Sequence, residues 1–298
     1  MPKLRNFFSR PEYIFRPTQG LKRIWRLGKS VPSSARVILP WNAQIAVNTG
    51  EAIGSAIYYY GIFDKIVPEA IWRLLDAGEM AIEIGANIGQ NCSAMAARAG
   101  QGGRVLAFEP HPDIFHELEH TCAAMRRSGF ASIQIENIAL GKCPGVACLI
   151  TGDEFERNRG CAALHDLSPQ QSEGIQVTVR SLDEYLKPGD SVGVCKIDVE
   201  GKELDVLRGA EQALSRRAIR DIIFEDFTDK PSLVTDFLER NGFTVFELHD
   251  TWWKPRLLPL AKKSDAPRGF SYNYLATLDA SRAIKRFRMP GWRCLLTI

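Results

Sequence analysis

The residues of this chain best placed to do chemistry are acids and small turn-formers at the ends of apolar runs. Glu83, Gly85, Ala86, Asn87 and Gly89 lie in or just after an apolar segment that begins at Met80. Glu109 closes the next such segment, Asp198 and Glu200 follow a later one, and Glu225 and His249 end two more. Acids and a histidine at strand ends are proton acceptors, and a positioned general base typically speeds attack by an alcohol ~10²–10⁴-fold. Asp198 is the first candidate base, Glu200 the second and His249 the third. Each position has a plainer reading. Asp198 would serve equally as a hydrogen-bonding partner of a cofactor or of backbone. Glu200 would serve as a cap on a helix starting near Gly201, where a carboxylate suits the N-terminal dipole. Asp198, Glu200 and Glu225 together would suit a magnesium ion, which takes oxygen ligands, but nothing in the spacing requires one and no metal is expected.

The glycine turn narrows the ligand. Gly85 and Gly89 are read as clearing space for it, because neither carries a Cβ, while the helix that follows offers free N–H groups. On this reading Gly85→Val abolishes ligand binding with the sheet barely touched. A dinucleotide fingerprint is G-x-G-x-x-G, its second glycine making room for pyrophosphate. Asn87 stands at that position, a third phosphate glycine is missing, and Glu83 would repel a diphosphate, so a nicotinamide dehydrogenase is disfavoured. An acid, a short glycine turn and an amide suit a ligand with a cationic amino end and a carboxylate, a description that S-adenosylmethionine meets. An acid at the end of the next strand, here Glu109, accepts hydrogen bonds from ribose hydroxyls in nucleotide-binding α/β units. Without the glycine turn it would read as a solvated strand-end charge or a helix cap.

His116-Glu117-Leu118-Glu119-His120 matches the H-E-x-x-H zinc pattern. Ile114, Phe115, Leu118, Cys122 and Met125 mark the buried stripe of that helix. The histidines lie off it and away from the strand ends, and a zinc hydrolase is disfavoured.

The elements that position these groups alternate strand and helix, predicting a mainly parallel sheet covered on both faces. Strands are expected at 80–84, 104–109, 133–138, 193–198, 221–225, 243–248 and 272–278. In such a sheet ligands bind beyond the carboxyl ends of the strands, where the strand order switches, which puts Gly85, Glu109, Asp198, Glu225 and His249 on one rim. Helices are expected over 91–99, from Pro112 to the Ser128-Gly129 stop, and from Pro231 to Asn241-Gly242. An insertion over 141–190 is expected to add strands at 146–151 and 175–179. Before the core, 36–47 reads as a hairpin around Pro40-Trp41-Asn42, and 53–75 as two helical segments parted near Gly61 and restarted at Pro68. Residues 250–268, with Trp252, Trp253, Lys254, Arg256, Lys262 and Lys263, read as a loop that is either a lid with substrate contacts or a plug over the core.

Four blocks in this order, Glu83-Ile84-Gly85-Ala86-Asn87-Ile88-Gly89, Ala107-Phe108-Glu109-Pro110, Asn137-Ile138-Ala139-Leu140-Gly141 and the run from Lys196-Ile197-Asp198-Val199-Glu200-Gly201 to Gly209-Ala210, resemble FkbM-type methyltransferases. The last block is the most specific, and the likeness covers roughly residues 63–278. The family more often has Asp where Glu83 stands, and the N-terminal segment matches none of its motifs. The resemblance implies a class I methyltransferase (Rossmann-like) fold with a doubly wound, mainly parallel seven-stranded sheet. It also implies S-adenosylmethionine as methyl donor and, usually, an oxygen acceptor on a sugar or natural product. The cofactor-binding set expected from it is Glu83, Gly85, Ala86, Asn87, Gly89, Glu109, Pro110 and Asn137, with Asp198, Glu200 and His249 on the catalytic side.

Composition bounds the rest. At 298 residues, with 45% apolar and 24% charged residues, the chain suits a globular protein with a substantial core. A net charge of +3 is too small to argue for a nucleic-acid binder. Seven scattered cysteines read as reduced thiols of a cytoplasmic protein rather than a disulfide frame. No apolar run approaches the ~20 residues of a membrane span. The expected division is an N-terminal basic and aromatic arm with hairpin and first helix over 1–62, an S-adenosylmethionine-binding domain over 63–280, and a basic C-terminal tail over 281–298. In residues 1–30, Arg5, Arg10, Arg16, Lys22, Arg23, Arg26 and Lys29 alternate with Phe7, Phe8, Tyr13, Phe15, Ile24 and Trp25. The favoured reading packs the aromatics on the domain with the cations in water; the other is a surface arm for a membrane or an acidic partner. The rival to an enzyme is a non-catalytic module that keeps the cofactor fold and binds a membrane or glycan assembly through that arm. The intact Glu83, Gly85, Asn87, Gly89 and Glu109 argue against it, and calorimetry with cofactor separates the two.

Overall fold

The computed structural model describes residues 10–26, 30–126, 129–151, 155, 159, 163–166, 174–260 and 272–296. Its spine is an eight-stranded sheet. In chain order the strands are β3 (Met80–Ile84), β4 (Arg104–Phe108), β5 (Ser132–Glu136), β10 (Val192–Ile197), β11 (Ile219–Glu225), β12 (Thr244–His249), β13 (Arg256–Pro259) and β14 (Asn273–Thr277). Across the sheet they run β13-β12-β14-β11-β10-β3-β4-β5. The five from β11 to β5 are parallel, and β14 lies antiparallel between β11 and β12. This is the class I methyltransferase fold. The seven expected strands are present, and β13 is an eighth, an edge strand paired to β12 in a stretch read from sequence as loop. Residues 261–271, including Lys262, Lys263 and Arg268, lie outside the described residues.

The order reverses between β3 and β10: the chain builds outward through β4 and β5, then returns to lay β10 against the other side of β3. β3 and β10 are buried along their whole length, as strands covered on both faces must be. Their C-terminal ends open side by side, and the switch-point cleft forms there.

The insertion folds as a separate four-stranded sheet rather than two strands. Its order is β6 (Ala139–Leu140), β9 (Ile175–Arg180), β7 (Gly145–Ile150) and β8 (Ala163–Asp166). β6 and β8 are too short to show alternation in sequence.

The N-terminal hairpin, β1 (Ser34–Ile38) with β2 (Gln44–Asn48), packs into the main core rather than standing apart. Leu39, Ile45 and Ile57 share one buried cluster with Ala81, Val105 and Val194 of the sheet. Trp41 at the hairpin tip donates its indole N–H to Ser93 Oγ at 2.8 Å, pinning the hairpin to the helix Gln90–Ala99. The second helix of the pair is Ile66–Leu74, so Pro68 sits in its first turn rather than opening it. The C-terminal stretch expected as a basic tail is a helix, Ala280–Arg288, and a short turn behind it. Two of its four cations are engaged with one acid: Arg282 and Arg286 both bind Asp76 at 2.8 Å. Buried Arg73 holds the following backbone, donating to the carbonyls of Met289 at 3.1 Å and Gly291 at 2.7 Å, while Glu69 orients it at 2.7 Å. Trp292 is fully buried beyond that clamp.

Candidate active site

The cleft at the β3/β10 switch is a cavity of about 310 Å3. Its floor is the turn 83–88, one wall is Phe108 to Pro110, and the opposite wall is Lys196 with Asp198 to Glu200. Glu225 closes the β11 side, Ile53 and Phe63 reach in from the N-terminal elements, and Leu149 and Arg159 from the insertion.

The turn is built differently from its sequence reading. Gly85 has φ of +79°, and a Cβ there would stand 1.9 Å from the carbonyl oxygen of Asp198. Glycine is therefore required by the neighbouring strand, whose Asp198 N–H donates to the Ile84 carbonyl at 3.0 Å. A Cβ on Gly89 would meet Leu118 Cδ1 at 2.8 Å, on the helix Pro112–Ala124. Gly89 does not line the cavity and serves close packing of the protein, whereas Gly85 both lines the cavity and packs against the neighbouring strand. Nor are all the turn's N–H groups free. Asn87 N–H donates to Glu109 Oε2 at 2.8 Å and Ile88 N–H to Asn87 Oδ1 at 2.8 Å. Asn87 adopts a left-handed φ of +48°, a conformation asparagine tolerates through such local bonds.

Glu109 is buried against the cavity and ties two loops together, accepting from Asn87 N–H and, at 2.9 Å, from His111 N–H. Burial raises its pKa to about 7 against the pull of those donors. Asn137 was expected on the cofactor and is not among the lining residues. Its Nδ2 donates to the carbonyls of Glu109 at 2.9 Å and Pro110 at 3.1 Å, bracing the loop from behind.

Glu83 is 1% exposed, and burial raises its pKa to about 8. Its cross-strand neighbour on β10 is Lys196. The sequence reading gave that lysine no role, although it is the one charge in the run Val192-Gly193-Val194-Cys195-Lys196-Ile197. A cation buried inside a central strand is costly unless paired, and that was the signal available. Lys196 Nζ donates to Asp198 Oδ2 at 2.8 Å. Burial works against its charge, yet Asp198 and Glu83 more than offset this and hold its pKa up.

Around Asp198 the acids crowd. Glu225 is pushed up by burial and then by Asp198, with which it shares a hydrogen bond. Glu200, on a left-handed φ of +51°, is raised to about 7 by burial, then by Asp198 and Glu203. Asp198, Glu200 and Glu225 thus meet in one cavity as expected, but the ammonium of Lys196 sits among them. Among the described residues no group of three acids, imidazoles or thiols is placed to hold a metal ion. His249 does not join them. It ends β12, and β14 and β11 both lie between β12 and β10, three strand spacings or roughly 14 Å from Asp198's strand. Its nearest charged partner is Glu247, 3.9 Å away. His116 and His120 lie on the exposed side of their helix with Nε2 atoms 3.2 Å apart.

Two buried acceptors test the fit of the cofactor. Glu83 and Asn91 line this cavity, and buried Glu83 Oε2 and Asn91 Oδ1 have no hydrogen-bond partner among the described residues. Acceptors left unpaired suit a ligand that brings N–H donors, as the amino end of S-adenosylmethionine does.

The chain belongs to the methyltransferase FkbM domain family, whose model matches residues 83–245. It is an S-adenosylmethionine-dependent methyltransferase. "Methyltransferase 1" of Beauveria bassiana is 27% identical over 195 residues, covering 59% of this chain and 76% of that protein. "Hexuronic acid methyltransferase AglP" of Haloferax volcanii is 28% identical over 193 residues, covering 57% and 74%. Among solved structures, a TehB-like SAM-dependent methyltransferase from Corynebacterium glutamicum aligns over 75% of this chain and 91% of its own, at 14% identity and a TM-score of 0.37.

Proposed function

We propose that this protein methylates a hydroxyl group of a saccharide or hydroxylated natural product. The observation that carries the reading is the hydrogen-bonded acid pair Asp198–Glu225, its Asp198 held by Lys196, at the end of the strand beside the cofactor turn. S-adenosylmethionine, when bound, supplies an electrophilic methyl group on sulfur. The chain's own task is to hold an acceptor oxygen in line and to take its proton. Alignment of this kind can supply ~7–11 kcal/mol of a barrier. Asp198 accepts the hydroxyl's hydrogen bond, and the pair removes the proton once it has lost the one it shares. A relative named for a hexuronic acid supports a sugar acceptor. The test is methyl transfer from deuterium-labelled donor to uronic-acid oligosaccharides, hydroxylated aglycones and, as control, amines. Label on oxygen is expected. Transfer confined to nitrogen, or none from a protein that binds cofactor, refutes the reading.

On the donor side, Glu83 receives the amino group and Glu109 the ribose hydroxyls. A pH effect follows from Glu83. Free Glu83 is mostly protonated below its pKa of about 8, whereas an ammonium selects the carboxylate. Cofactor affinity should therefore tighten as pH rises from 5.5 to 7.5, by up to about tenfold per unit. Calorimetry across that range reads the slope, and Glu83→Gln should reduce it to the part contributed by Glu109, whose carboxyl is raised to about 7. A flat slope in the wild type would remove Glu83 as the ammonium's partner.

A further inference from the structure

We infer that the N-terminal helices dock this protein on an anionic membrane surface. The helix Pro17–Arg26 is inside out. A helix on a globular protein turns its apolar stripe inward. Here Gln19 and Gly20 are buried, the Arg26 guanidinium lies 3.8 Å over the Tyr58 ring, and Arg23 lies 5.0 Å over Tyr60. Cations stacked on the tyrosines of the helix Ala52–Tyr60 occupy the inner face. Leu21, Ile24 and Trp25, which share one face by spacing, are left 66%, 51% and 70% exposed. Within this helix the arrangement favoured from sequence, aromatics inward and cations in water, is reversed, while Tyr13 and Phe15 of the preceding helix do pack inward.

A second exposed aromatic group packs on the preceding helix. Trp252 and Trp253 stack at 5.9 Å, both half exposed, and Trp253 meets Phe15 of the preceding helix Pro11–Phe15 at 5.5 Å. Tryptophan, leucine and isoleucine beside basic residues make the composition of a helix lying in a bilayer interface.

Charge selects the lipid. Residues 1–30 carry eight lysines and arginines and one acid, Glu12, although the whole chain is only +3. The remainder is net acidic, so attraction to anionic headgroups is concentrated at this end. No helix among the described residues is long and apolar enough to cross a membrane, so the contact is peripheral. The face also adjoins the site's mouth. Lys65 binds Asp250 beside Trp252, and Phe63, two residues earlier, lines the cavity.

The test is co-sedimentation of the full chain with vesicles of phosphatidylcholine alone or mixed with phosphatidylglycerol. Wild type should bind the mixed vesicles at least ~10-fold more tightly than neutral ones, and salt should weaken that binding. Leu21→Gln with Ile24→Gln should lower it ~10-fold or more while cofactor affinity stays unchanged. Tryptophan fluorescence of the wild type should be quenched by brominated lipid, a readout that needs no variant. Failure to bind anionic vesicles at low salt, equal binding by the double variant, or no quenching would overturn the inference. A wild-type dimer in light scattering that the double variant converts to monomer would overturn it too, assigning the face to a subunit contact.

Discussion

Gly85→Ala will destabilise the whole fold by about 2–5 kcal/mol, the sum of two local costs. The residue sits at φ of +79°, where an L side chain costs roughly 1–2 kcal/mol. Its new Cβ would stand 1.9 Å from the Asp198 carbonyl oxygen. That oxygen is backbone and cannot rotate away, and Asp198 N–H is itself bonded to the Ile84 carbonyl at 3.0 Å. Relief requires β3 and β10 to separate, and forced overpacking typically costs ~1–3 kcal/mol. Thermal unfolding should show a large fall in Tm, with cofactor binding lost because the cleft is lost. Gly89→Ala should be milder, since its closest clash is the end of Leu118, a side chain that can shift. Near-wild-type Tm for Gly85→Ala, with cofactor binding gone, would restore the view that this glycine clears space for the ligand.

That contrast shows what the sequence could reveal about the site. The glycines were conspicuous, but their reason lay on another strand and another helix, neither of which local spacing identifies. The strands β3, β4 and β10 were legible because each is a short, nearly continuous apolar run between turn signals, as burial on both faces demands. β13 was not: only four residues long, it is framed by Pro255 and Pro259 behind two tryptophans, and proline argues against a strand except at an edge. His249 was placed on the rim because strand ends were counted, whereas distance along a rim depends on strand order. The antiparallel entry of β14 between β11 and β12 moved it out of reach. The arm's two faces were readable as alternation. Which face turns inward was set by Tyr58, Tyr59 and Tyr60, aromatic partners that hold guanidinium groups. Lys196 was hidden inside the most specific block, beside the more conspicuous acids Asp198 and Glu200.

Asp198→Asn should lower turnover by ~10²-fold or more and leave cofactor affinity within a few-fold of wild type. The asparagine keeps the size and one acceptor oxygen, so the change isolates the lost charge. In the native site Lys196 Nζ holds Asp198 Oδ2 at 2.8 Å, and burial and then its neighbour's charge raise the Glu225 carboxyl to about 8, so the pair shares a proton at neutral pH. A base must be ionised to act, so wild-type turnover should be low at acid pH and climb as the pair gives up that proton. Removing Asp198's charge removes the climb as well as the rate. Glu109→Gln supplies the opposite control, weakening cofactor binding with less effect on turnover at saturation. It converts a carboxylate that already accepts two N–H bonds into an amide that can accept through only one atom. Pre-steady-state transfer at saturating cofactor separates the two cases, because KM alone mixes binding with chemistry. If Asp198→Asn loses cofactor binding instead, Asp198 belongs to the donor site. The proton acceptor is then Glu200, whose pKa of about 7 already suits the task, and Glu200→Gln should carry the loss in rate.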